Sequence, residues 1–96
     1  MRPSIALAAN RAAICTVVEA HRARNARVFG SVAAGRDVDG SDLDILVDPT
    51  DETTLFDIGA IRHELRRLLG VPVDVLTPNA LPEKFRAAVI AQAQPI

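Results

Sequence analysis

The 96 residues include eleven basic and twelve acidic side chains, for a formal charge of −1, and 49% are hydrophobic, mainly Ala, Val, Leu and Ile. That length fits one small domain that folds without obligatory disulfides or metals and leaves no room for a second core. Near-neutral charge excludes a global field for nucleic acid or anionic lipid, and three Phe with no Trp or Tyr exclude an aromatic platform for stacked bases. Direct nucleic-acid binding is therefore not expected. Cys15 is the only cysteine, which rules out an internal disulfide and fits a small buried helical residue in a reducing, cytoplasmic setting. The N-terminus lacks a sustained apolar region and no run is long enough to span a bilayer, so neither export nor a membrane is expected.

Residues 4 to 24 read as a first helix, with Ser4 as N-cap and Ile5, Ala8, Ala9, Ala12, Ala13 and Val17 recurring at three- and four-residue intervals. Its basic tail, His21, Arg22 and Arg24, suits a helix C-terminus, where His21 reads as solvated. Arg27 to Phe29 forms a first short strand. Gly30-Ser31 then turns into a short helix through Ala33-Ala34, which Gly35 ends. Gly30 lets backbone approach a ligand, and the Ser31 hydroxyl and amide can hold a phosphate oxygen or act as a simple cap. Arg36 follows, able to neutralise phosphate charge or to stand free on a loop. The polar loop beyond it has Asp37 and Asp39 as solvated residues and Ser41 orienting the turn ahead of Asp42.

Asp42-Leu43-Asp44 opens the second strand, Leu43 to Val47, giving the spacing GSx10DxD from Gly30. Side chains alternate along a strand, so Leu43, Ile45 and Val47 face a core while Asp42 and Asp44 point together to the other side. Two such carboxylates repel unless a cation lies between them, and hard oxygen ligands at this spacing suit Mg²⁺ with substrate phosphates. Asp44 interrupts an otherwise apolar strand, where a carboxylate has little structural purpose without a metal or donor. Two other ligand loops fail at named positions. GSVAAGRD has P-loop glycine spacing, but Arg36 stands for the Lys and Asp37 for the Ser/Thr. Read as a calcium loop with Gly40 at the invariant glycine, the chain has Gly35 at the first ligand and Leu46 at the closing glutamate.

Asp48-Pro49 stops the second strand, and a long amphipathic helix follows from about Thr54 to Leu69. Its apolar face is Leu55, Ile58, Ile61, Leu65 and Leu68; His63 belongs to the charged face, and Gly70 is the stop. Val71 to Leu76 is a third strand broken by one aspartate. If it lies beside the second strand, Asp74 joins Asp42 and Asp44 and supplies the third carboxylate of a two-metal site, with a base near an attacking hydroxyl. The tail, Leu81 to Gln94, has Phe85, Val89 and Gln92 at helical spacing, packed on the sheet or presented to a partner.

GSVAAGRDVDGSDLDILV followed by VDVL resembles the polymerase-beta-type nucleotidyltransferase superfamily, and the length matches its minimal branch. The resemblance implies an α/β (α+β) fold, a small mixed sheet with helices packed on one face and the carboxylates on the open one. It identifies Gly30 and Ser31 as the triphosphate-binding pair and Asp42, Asp44 and Asp74 as metal ligands and catalytic carboxylates, while Arg36 and Ser41, read from their own positions, complete the expected nucleotide-binding set. It further implies two Mg²⁺ ions, ATP as substrate, and a HEPN-type ribonuclease toxin as partner. AMP transfer to a hydroxyl of that toxin, within a hetero-oligomer, would make the chain an antitoxin; binding that occludes the toxin without chemistry is the alternative.

Overall fold

A computed structural model describes residues 1–96. Four helices and four strands follow in the order α1 (Pro3–Ala20), β1 (Ala23–Phe29), α2 (Gly30–Ala33), β2 (Leu43–Pro49), α3 (Leu55–Leu69), β3 (Val73–Leu76), α4 (Glu83–Gln92) and β4 (Gln94–Pro95), with a 3-10 turn over Pro78–Ala80. The sheet order is β3-β2-β1-β4. β2 and β3 run parallel, as a crossover through α3 requires, while β1 pairs antiparallel with both β2 and β4. This is the mixed α/β sheet expected from the sequence.

One face of the sheet carries the main core. Leu43, Ile45 and Val47 are fully buried there with Ile14 and Val18 of α1 and Ile61 and Leu65 of α3. Strand alternation alone would leave the opposite face open, but Leu46 on that face is also fully buried. It lies outside the main cluster, where the Pro78–Ala80 turn packs against β2 and α4 packs against that turn and β1. The second face is therefore covered beyond the carboxylates.

The helix faces differ from the periodicity reading. In α1 the buried residues are Pro3, Ala6, Leu7, Ile14 and Val18, whereas Ile5, Ala8, Ala9 and Ala12 are exposed, and Asn10 breaks the helical dihedrals at φ −135°, ψ 23°. Alanines occur around the whole helix and mark no face, and the large side chains that do pack inward are Leu7, Ile14 and Val18. Ser4 is not the N-cap: Arg2 holds that position, Pro3 is the first helical residue, and the Ser4 N–H donates to Asp37 Oδ2 at 2.8 Å. Asp37 is accordingly buried rather than solvated, and this backbone N–H, chiefly, holds its carboxyl below the usual range. α1 also ends at Ala20, earlier than its basic tail suggests, and β1 begins at Ala23. His21 keeps part of its surface in solvent, and its Nε2 also lies 2.9 Å from Glu64 Oε1. Cys15 is half-buried.

α3 starts with a capping box, Thr54 Oγ1 accepting from the Asp57 N–H and Asp57 Oδ2 from the Thr54 N–H. Its buried residues are Asp57, Ile61, Leu65 and Leu69, which turns the predicted stripe enough to expose Leu55 at 89% and Leu68 at 43%. Gly70 ends it at φ 67°, the left-handed conformation that favours glycine. β2 continues through Asp48 and Pro49, pairing with Arg24 and Ala23. Proline is tolerated because β3 has ended by then, leaving that side of β2 an edge.

Candidate active site

Asp42 immediately precedes β2, Asp44 is its second residue, and Asp74 is the second residue of β3. The parallel register sets Asp44 directly opposite Asp74. One carboxylate oxygen from each of Asp42, Asp44 and Asp74 lies within 4.8 Å of the others. Asp42 is exposed, while Asp44 and Asp74 are partly buried. Burial, and then the charges of Asp74 and Asp42, push the Asp44 carboxyl up to about 6. The cluster thus gathers negative charge that a divalent cation would neutralise, through hard oxygen donors of the type Mg²⁺ takes.

Gly30 stands against this cluster. Its φ is +71°, and a Cβ built there would overlap Asp44 Oδ2. Glycine is needed both for the backbone conformation and for the space. β1 ends at Phe29, which pairs with Asp44, so the Gly30–Ala33 turn begins at the level of the carboxylates. The first amides of such a turn have no intrahelical partner, Ser31 among them. Ser41 serves the loop, its Oγ accepting from the Val38 N–H at 2.9 Å, which fits its role in orienting the approach to Asp42. Arg36 is exposed beyond the turn and takes part in no ion pair.

Two residues near the site were not apparent from the sequence. Arg62 and Arg66 of α3 each donate from Nε to the Val73 carbonyl, at 3.4 and 3.0 Å, and their guanidinium nitrogens lie 3.9 Å from Asp74 Oδ1. Their i, i+4 spacing places them on one side of α3, but only the packing of α3 beside β3 brings that side to the strand edge. At 3.9 Å these are ion pairs without hydrogen bonds, in partly exposed surroundings that screen them.

The description polymerase beta, nucleotidyltransferase, fits a family model that matches residues 13–96. Over 80 residues the chain is 32% identical to MJ0435 of Methanocaldococcus jannaschii, provisionally named a protein adenylyltransferase, covering 83% of this chain and 86% of that one. A solved structure provisionally described as a minimal nucleotidyltransferase is 38% identical, with a TM-score of 0.86 over 97% of this chain and 95% of the other. A toxin-antitoxin crystal structure with AMP-PNP shares the fold at 20% identity, with a TM-score of 0.76 over 90% of this chain and 71% of that one. With the model spanning most of the chain and a relative this similar, the protein belongs to the polymerase beta nucleotidyltransferase family.

Proposed function

We propose that the chain transfers AMP from ATP to a hydroxyl of a partner protein, a HEPN-type ribonuclease toxin, and so acts as the antitoxin of a hetero-oligomeric pair. The observation that carries this reading is the convergence of Asp42, Asp44 and Asp74 within 4.8 Å, beside a glycine where a Cβ would overlap Asp44. The name of MJ0435 and the nucleotide analogue in the toxin-antitoxin structure support it.

The donor set fits Mg²⁺, with Asp42 and Asp44 as ligands of one ion and all three aspartates as ligands of a second. Bound there, Mg²⁺ supplies neutralisation of triphosphate charge and a lowered pKa for the acceptor hydroxyl. Gly30 and Ser31 receive phosphate oxygens on their free amides, Ser41 fixes the loop that leads to Asp42, and Arg36 meets phosphate charge. Asp74 accepts the proton of the attacking hydroxyl. A bond forms between that oxygen and the α-phosphorus, the bond to the β-phosphate oxygen breaks, and pyrophosphate leaves in line.

Intact-mass spectrometry of the HEPN-type partner, after incubation with this chain, Mg²⁺ and ATP, tests the reading. An added AMP mass is expected with the intact chain and none with the Asp42→Ala/Asp44→Ala variant. The occlusion alternative has its own support: α4 has no fully buried residue and exposes Phe85 and Ile90. A stable complex that still inhibits the toxin through the double variant, with no added mass in either case, would favour occlusion.

A further inference from the structure

A cavity of about 390 Å³ lies beside the Gly30–Ala33 turn, lined by Gly30, Ala33, Ala34, Arg36, Gln92 and Gln94. Gly30 is shared between the two features, since the atom added there would meet Asp44 and the same residue walls the cavity. One residue without a side chain therefore separates the cavity from the carboxylates. The polar groups around it are rich in donors. A guanidinium offers five N–H groups and no acceptor, and each glutamine amide adds two more. No acidic residue lines the cavity. Gln94 Nε2 donates to the Ala33 carbonyl at 3.3 Å, which aligns its amide along the turn, while Gln92 ends α4 as an exposed side chain. An unpaired cation flanked by neutral donors, with no carboxylate to compete, suits a phosphate.

The sheet order supplies the second argument. Asp74 lies on β3, Asp44 on β2, Gly30 at the end of β1 and Gln94 on β4, in the order of the strands across the sheet. Asp74 and the cavity are therefore on opposite sides of Asp44. In-line phosphoryl transfer needs the attacking and leaving oxygens on opposite sides of the phosphorus. A hydroxyl entering beside Asp74 expels pyrophosphate toward the cavity.

We propose that Arg36, Gln92 and Gln94 form a subsite for the terminal phosphates of the nucleoside triphosphate, with the two C-terminal glutamines as the residues that read phosphate-chain length. This rests on the transferase reading for the identity of the ligand. Calorimetric titration of the full chain with MgATP, AMP and inorganic tripolyphosphate, in the wild type and in Gln92→Glu, tests it. The glutamate keeps the shape of an exposed side chain and replaces its donors with negative charge. About tenfold weaker binding of MgATP and tripolyphosphate is expected, with AMP unchanged, and Arg36→Gln should act in the same direction. Equal weakening of AMP would assign the cavity to the nucleoside instead and overturn the proposal, as would unchanged binding of all three. The two readings fail separately. Phosphate binding that depends on Gln92, without AMP transfer to any protein, would remove the transferase and leave the subsite; transfer with binding indifferent to Gln92 would do the reverse.

Discussion

Asp44 sits where its charged form is disfavoured, its carboxyl pushed up to about 6 by burial and by Asp74 and Asp42. The folded chain binds that proton more tightly than the unfolded chain, whose ordinary value is 3.8. Without metal, the contribution of this group to stability is therefore fully present below 3.8 and is lost as pH rises through about 6. Asp44→Asn removes the charge and keeps the shape. We expect it to raise the melting temperature of the metal-free protein well above pH 6, with the gain shrinking toward 3.8, while AMP transfer disappears. Circular-dichroism melts across that pH range check the sign, and an unchanged melting temperature at high pH would contradict it. Asp42, Asp44 and Asp74 were legible in the sequence because each interrupts or precedes an apolar strand, where a carboxylate stands out. Arg62, Arg66, Gln92 and Gln94 were not, because their positions depend on which helix side and which strand end meet the sheet.

Among the elements, α3 shows how a stripe of leucines can mislead. Leu68 and Leu69 are adjacent, and both continue the three- and four-residue spacing from Leu65, so periodicity fits two faces. The capping box resolves the choice, because Asp57 faces inward to close it and to accept from Arg22 Nη1 at 3.0 Å, turning Leu55 and Phe56 into solvent. The Thr54 N–H, chiefly, keeps the Asp57 carboxyl below its usual range. Thr54→Ala is expected to cost about 1 kcal/mol and to lower the melting temperature by about 4–8 °C, measurable by calorimetry. β4 was unreadable for a different reason. Two residues carry no alternation, and Gln94-Pro95 pairs with Val28 and Arg27 only because the end of α4 brings it there.

Across the whole molecule, one layer of apolar side chains joins the parallel and antiparallel parts of the sheet to α1 and α3. Leu65 is fully buried in it. Leu65→Ala is expected to cost about 2–5 kcal/mol, a large share of the 5–15 kcal/mol typical of domains, and to shift the denaturant midpoint accordingly. The pairing of β2 with β3 stood in the sequence only as a condition, since periodicity does not fix strand order, and it is this parallel pairing that brings Asp74 to Asp44. The tie between Asp37 and Ser4, 33 residues apart, had no local signal.

The arginines at Val73 have one further effect. Pro72 turns its carbonyl to β2, where the Leu43 N–H donates to it, and Val73 turns its own carbonyl outward to Arg62 and Arg66. The exposed margin of β3 thus offers a passing chain less of the open hydrogen-bond template that invites fibrils, while the other margin ends in two residues, one of them proline. Such a sheet has blunt borders on both flanks. Addition of a further strand, from a second copy or another chain, is thereby disfavoured at either edge.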